Sequence, residues 1–62
     1  MGAAVHGYRV YIIGRNGHIM DRVDVFAESE DDAKAQAKKL VESFAVELWE
    51  GSRMIATFEP KG

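Results

Sequence analysis

The chain has 62 residues, of which 47% are hydrophobic and 29% charged, and its eight basic and ten acidic residues give a formal net charge of −2. It contains no cysteine, which excludes a disulfide framework and any zinc site built from cysteine. The composition is that of one small globular domain, and it excludes disorder and a membrane-spanning helix. A chain this short rarely builds both a core and a walled active-site cleft, so we do not expect an enzyme.

Residues 1–6 are small and unpatterned, and we expect them to form a flexible leader. They show no signal peptide, and the predicted location is the cytoplasm. We expect no cofactor and no metal or membrane partner. The mild acidity argues against nucleic acid, because nucleic-acid binders usually carry clustered lysine and arginine.

The first predicted element is a β-hairpin. Residues 8–13 are β-branched or aromatic except for Arg9, which indicates a strand, and residues 18–27 form the returning strand. Between them, Asn16-Gly17 predicts a type I′ turn, which needs positive φ at both positions and pairs Arg15 with His18.

This turn sets the register of the hairpin. Three cross-strand pairs follow: Tyr8 with Val25, Val10 with Val23, and Arg9 with Asp24 as an ion pair. Asp21 is a misfit, because it falls on the apolar face opposite Ile12. A bulge near Asp21, or a place at the rim of the sheet, would relieve it.

A helix is predicted over residues 30–43. Ser29 is a good N-cap, and the acidic residues that follow it suit the positive end of the helix dipole. An apolar stripe with near-helical spacing marks the face that contacts the sheet. It consists of Ala33, Ala37, Leu40, Val41 and Phe44.

A second hairpin is predicted from strands at 44–50 and 53–59. Gly51-Ser52 between them is typical of a type II′ turn, with glycine in the first position. The resulting register pairs Glu50 with Arg53, Trp49 with Met54, Leu48 with Ile55 and Ala45 with Phe58.

The predicted architecture is therefore a two-layer α+β domain of ββαββ order. One mainly antiparallel sheet of four strands carries the helix on one face. The sequence does not determine the strand order, although the order 2-1-3-4 keeps every neighbour antiparallel and is the one we expect.

The sheet face away from the helix is predicted to be unusually apolar. An open sheet normally presents a polar outer face to water, and an exposed apolar patch usually marks an interface. We therefore expect a protein-interaction module, most economically a homodimer formed through this face. The alternative is that one hairpin register is wrong by one residue and some of these side chains belong to the core. The interface candidates are Tyr11, Ile13, Met20, Phe26, Trp49, Met54 and Phe58.

A second hypothesis is a nucleic-acid-linked regulator. Aromatic and arginine side chains on a sheet can stack on single-stranded bases, and the candidates here are Arg9, Tyr11, Arg22 and Trp49. Asp24 and Glu47 share that face and weaken this interpretation.

The remaining motifs favour structural roles. His18, near Asp21 in sequence, is more typical of a solvated strand residue than of a metal or acid–base site. The acidic run at 28–32 lacks the glycine and alternating ligands of a calcium loop, and the spacing of Gly14 and Gly17 matches no phosphate loop. No catalytic residue is predicted.

Four short motifs run along the chain: Y-R-x-Y at 8–11, N-G-H-I at 16–19, the acidic helix capped by Ser29, and V-E-x-W-x-G-x-R at 46–53. Together they resemble a family of very short bacterial proteins of unknown function, found mostly in alphaproteobacteria. The resemblance implies the same ββαββ fold and no particular activity. The first half of the chain also resembles, more loosely, HicB-type antitoxins, in which a hairpin precedes a similar helix; this implies an antitoxin-like partner.

Overall fold

The computed structural model of this chain describes residues 4–60. Its elements are β1 (His6–Ile13), β2 (Ile19–Ala27), α1 (Glu30–Lys39), β3 (Ala45–Glu50) and β4 (Arg53–Phe58). The strands form one antiparallel sheet in the order β2-β1-β3-β4, and α1 packs on one face of it. The predicted α+β fold and strand order are therefore confirmed. Of the predicted leader, residues 1–3 lie outside the described residues, and His6 already belongs to β1.

The core lies between α1 and the sheet. Its largest fully buried side chains are Leu48, Val10 and Val46. The helix contributes Ala33 and Ala37, both fully buried, so that α1 lies close against the strands. A core this thin is typical of small domains that gain little free energy of folding from one chain.

The helix begins where the sequence predicts and ends earlier. The Ser29 hydroxyl accepts a hydrogen bond from the Asp32 N–H at 3.1 Å, which confirms Ser29 as the N-cap. The last helical residue is Lys39 and not Ser43. Residues 40–44 lead the chain from the helix layer to the start of β3, and a helix ending at Ser43 would leave one residue for that crossing.

The turn of the first hairpin differs from the prediction. Among residues 4–60, positive φ occurs only at Gly17 (+84°) and Gly51 (+60°), so Asn16 does not adopt a type I′ conformation. The Gly14 N–H donates to the His18 carbonyl at 2.7 Å, and the Gly17 N–H donates to the Gly14 carbonyl at 2.9 Å. The loop therefore holds three residues, with Gly17 in the left-handed position that follows a type I turn.

A bulge then restores the predicted register. The three-residue loop pairs Ile13 with Ile19, whereas Ile12 pairs with Asp21, which leaves Met20 as an extra residue on β2. Beyond the bulge, the three predicted pairs of this hairpin are confirmed. The bulge near Asp21 is also confirmed, although Asp21 stays opposite Ile12.

The second hairpin also contains a bulge. Gly51 has positive φ and Ser52 does not, as a type II′ turn requires, and the pairs at the turn are those predicted. Beyond them, Ile55 is an extra residue on β4. Leu48 consequently pairs with Ala56 and Val46 with Phe58, so the predicted pairs Leu48–Ile55 and Ala45–Phe58 are wrong.

Candidate functional site

The candidate site is the sheet face opposite α1, which we call the outer face. Strand alternation and the observed registers define its members. Its larger apolar side chains are Tyr11, Ile13, Ile19, Phe26, Trp49 and Met54. The charged side chains that the four strands place on it are Arg9, Arg22, Asp24 and Glu47.

Much of this apolar surface is open to solvent. Phe26 is 66% exposed, Ile19 59% and Met54 49%. An antiparallel sheet with one helix usually alternates apolar residues inward with polar residues outward. Here the large outward side chains depart from that pattern on β1, β2, β3 and β4 alike.

The structure places the predicted interface residues on the outer face or at its margin, with the exception of Phe58. Phe58 does not lie there: the bulge at Ile55 turns it to the helix side, where it packs against the core. Met20 is the unpaired bulge residue and lies beside Gly14 at the hairpin tip. It is 57% exposed and lines a shallow depression with Tyr11, Ile19 and Arg22 at the margin of the outer face. The predicted pairing of Arg15 with His18 sets Ile19 opposite Gly14 and hence on the helix side. The three-residue loop moves it to the outer face, and only knowledge of the turn type could have revealed this.

Two rows of side chains cross the middle of the outer face. In the first row, Arg9 lies between Asp24 on β2 and Trp49 on β3, with Met54 beyond. In the second, Tyr11 lies between Arg22 and Glu47, with Thr57 beyond. Apolar side chains lie at both ends of these rows along the strands, with Phe26 at one end and Ile13 and Ile19 at the other.

Aromatic and polar contacts hold Trp49 in place. Its ring meets the ring of Tyr11 edge to face, with centroids 6.2 Å apart and planes at 85°. Its indole N–H donates to the Glu47 carboxylate at 3.1 Å. The indole is thus positioned before any partner binds, which lowers the entropy cost of binding through it.

Arg9 and Asp24 form the ion pair expected between β1 and β2. The Arg9 Nε lies 3.4 Å from the Asp24 carboxylate, and the side chains are 49% and 65% exposed. The Tyr11 hydroxyl first, and then Asp24, raise the pKa of the Arg9 guanidinium. The pair is open enough for a second charged group to approach it.

A groove lies where β3 stops pairing with β1. The last β1 residue paired with β3 at this end is Arg9, whereas β1 continues to His6. The groove measures about 330 Å³, and its wall includes Gly7, Arg9, Asp24, Phe26 and Gly51. The Phe26 ring stands beside Gly7, 3.7 Å from where a Cβ of residue 7 would lie.

Both edge strands of the sheet carry a bulge. The extra residue is Met20 on β2 and Ile55 on β4. Bulges twist an edge and interrupt its row of hydrogen-bonding groups, which hinders pairing with another chain. The outer face, rather than either edge, is therefore the surface better suited to a partner.

The helix side carries a separate ionic cluster. An Arg53 Nη lies 2.8 Å from the Glu50 carboxylate and 3.0 Å from that of Glu30, tying the β3–β4 turn to the start of α1. Lys34 approaches Glu30 at 3.8 Å. Burial, followed by the nearby Glu50 and Glu30 carboxylates, raises the pKa of the Tyr8 hydroxyl. These contacts give the cluster a structural role, which is to hold the β3–β4 turn against the start of α1.

The other motifs noted in the sequence take part in local contacts and not in a second candidate site. The Asn16 side chain accepts a hydrogen bond from the His18 N–H at 3.1 Å, which belongs to the turn. Within the described part of the chain, no three histidine, aspartate or glutamate side chains converge as metal ligands. At ten residues, α1 is too short and too polar to cross a bilayer.

Comparisons with known proteins return no matching family model, curated protein or solved structure. The function of the chain therefore has to be inferred from its own residues, and the outer face is the surface that most needs an explanation.

Proposed function

We propose that this protein is a small interaction module, without catalytic activity, that assembles as a homodimer through the outer face. The observation that carries the proposal is the exposure of Phe26, Ile19 and Met54 on one sheet face, beside a preorganised Trp49. Aromatic anchors with aliphatic neighbours are the side chains that dominate binding energy at interfaces.

The surface area of the single chain supports a missing partner. It exposes 4525 Å², whereas a compact monomer of 6.9 kDa is expected to expose about 4,000 Å². Its extents of 44 × 23 × 15 Å describe a flat, elongated body. A second layer stacked on the outer face would give the sheet a core on both sides.

The location we propose is the cytoplasm. The chain has no cysteine, so a reducing compartment removes nothing that stabilises it.

Sedimentation equilibrium at micromolar concentration tests the proposal, and we expect a mass of two chains. Phe26→Ala and Trp49→Ala should each shift the equilibrium toward one chain. Phe26 is the sharper variant, because its exposed ring can be removed without opening a cavity. Glu42→Ala, on the exposed helix side, is the control and should leave the mass unchanged. A wild-type chain that is monomeric under these conditions would overturn the proposal.

The nucleic-acid hypothesis predicts a different result in a parallel experiment. It requires Arg9, Tyr11, Arg22 and Trp49 to engage a single strand, which should quench Trp49 fluorescence in a salt-dependent way. Asp24 already forms an ion pair with Arg9, and Glu47 already accepts a hydrogen bond from the indole N–H of Trp49. We therefore expect no quenching by oligonucleotides at low salt; clear quenching would favour the regulator.

A further inference from the structure

We infer that the second copy docks on the outer face about a two-fold axis that runs across the strands, between the row of Arg9 and the row of Tyr11. This inference rests on the proposed function and adds the geometry of the interface to it. Its basis is charge complementarity within the two central rows.

Two in-plane two-fold axes would give the aligned packing that stacked sheets prefer. An axis across the strands lays β2 of one copy over β2 of the other and exchanges the two rows. An axis along the strands lays β2 over β4 and keeps each row over itself. The two arrangements bring different side chains together, and the order of residues in the rows distinguishes them.

The axis across the strands pairs opposite charges. Asp24, in the first row on β2, comes to lie over Arg22 of the second copy, in the second row on β2. By symmetry, the contact occurs twice. Asp24 is 65% exposed in its ion pair with Arg9, so its carboxylate has room for a second cation.

Aromatic and polar partners also coincide under this axis. Arg9 comes over Tyr11 of the second copy, where a guanidinium can stack on a ring. Trp49 comes over Glu47, the residue whose carboxylate already accepts the indole N–H within one chain. Of the four charges in the central rows, Asp24 and Arg22 thus meet each other across the interface and Arg9 meets an aromatic ring. Glu47 keeps the hydrogen bond from the indole of its own chain.

The ends of the face are complementary in shape and polarity. Phe26, at one end of β2, comes over Ile19 of the second copy at the other end. Gly7 comes over Ile13, so the groove of about 330 Å³ above Gly7 receives an aliphatic side chain. Phe26, which is 66% exposed, and Gly7, which has no side chain, each meet an apolar side chain of the second copy.

The axis along the strands also places Arg9 over an aromatic ring, that of Trp49, but it lacks the match of opposite charges on β2. It places Asp24 over Met54 and Arg22 over Thr57, so both charges would face neutral groups. It also leaves Phe26 over the end of the sheet where β4 has no paired residue. Burying charged groups without partners is costly, which favours the axis across the strands.

A charge-swap mixing experiment tests the geometry. Asp24→Arg alone places arginine over arginine, and Arg22→Asp alone places aspartate over aspartate. We expect each variant alone to dimerise at least about tenfold more weakly than the wild type. Mixed in equal amounts, the two variants restore both opposite-charge contacts, and we expect a heterodimer with close to wild-type affinity. Native mass spectrometry identifies it by mass.

Controls separate this inference from the proposed function. Asp31→Arg and Lys38→Asp place the same charge changes on the exposed surface of α1, so each should dimerise alone and gain nothing from mixing. Circular dichroism of every variant checks that the fold survives. A wild-type dimer disrupted by Phe26→Ala but not rescued by mixing the Asp24 and Arg22 variants would overturn the axis and leave the proposed function standing. A monomeric wild type would overturn both.

Discussion

The ring of Trp49 on β3 meets the ring of Tyr11 on β1 edge to face, at a centroid distance of 6.2 Å. The two residues are not directly opposite: Tyr11 pairs with Glu47, and Trp49 pairs with Arg9. The contact is thus diagonal, within reach of aromatic side chains on neighbouring strands. It links the two central rows of the outer face within one chain.

This aromatic pair should contribute about 0.5–1.5 kcal/mol of coupling energy. A double-mutant cycle of Tyr11→Leu and Trp49→Leu measures it by urea denaturation. The cycle is best built on the Asp24→Arg background, where weakened assembly keeps dimer contacts out of the measurement. Strict additivity of the two substitutions would contradict the contact.

Leu48 should be among the residues whose truncation the fold tolerates least. It is fully buried, and Leu→Ala at such sites typically costs about 2–5 kcal/mol. A domain of this size rarely has more than about 3–5 kcal/mol available from its core. We expect Leu48→Ala to lose its cooperative urea transition. Leu48→Met conserves volume and, as the matched control, should cost less than about 1.5 kcal/mol.

Gly17 and Gly51 should both resist replacement by L-alanine for a backbone reason alone. Their φ angles are +84° and +60°, and a Cβ at either would meet no atom within 4 Å. The left-handed conformation costs an L-residue roughly 1–2 kcal/mol. D-Alanine, introduced by chemical synthesis, adds the same methyl group without strain and should leave stability equal or improved. Equal losses with both enantiomers would point to a steric cause instead.

Gly14 should lose a small amount of stability on replacement by alanine, for a steric reason. Its φ is not positive, but a Cβ there would lie 2.9 Å from Met20 Cγ and 3.1 Å from Met20 Sδ. Met20 is 57% exposed and its flexible side chain can turn away, so we expect a loss of about 1 kcal/mol, at the low end of the cost of overpacking. Met20→Ala should recover most of that loss in the double variant, and thermal unfolding of the four proteins in the cycle measures the recovery. A Gly14→Ala loss that persists without the Met20 side chain would refute the clash.

Tyr8 should make the protein sensitive to alkaline pH. Burial is the largest cause that raises its pKa above 10.0, so the folded state holds the hydroxyl proton more tightly than the unfolded state does. This contribution to stability is complete below the unfolded pKa and is lost as pH rises through the folded pKa.

The urea midpoint should therefore decrease when the pH is raised from below 10.0 to above it. The decrease should be smaller in Tyr8→Phe than in the wild type. Tyr11→Phe is the matched control, because it removes a hydroxyl from the outer face. An equally steep fall in Tyr8→Phe and the wild type would exclude Tyr8 as the cause.

Local sequence signals were sufficient for the elements and for most of the first hairpin. Ser29 marked the start of α1 because a serine at the N-cap accepts a hydrogen bond from the otherwise unpaired N–H three residues later, which is a local interaction. Glycine in the first position of Gly51-Ser52 specified the type II′ turn of the second hairpin. The pairing of Arg9 with Asp24 followed from the predicted turn, and it survived the wrong turn type because the bulge at Met20 compensated for it.

The tertiary structure decided the exact place of each bulge, and with it the membership of the outer face. The misfit of Asp21 indicated a bulge close to Met20, whereas no local pattern at Ile55 indicates an extra residue there. One extra residue moved Phe58 to the core, and the three-residue loop moved Ile19 out of it. The sequence by itself determined that a 62-residue chain with a −2 charge carries more apolar side chains than one thin core can bury. Which of them face solvent depends on strand register, because a shift of one residue exchanges the two faces of a strand.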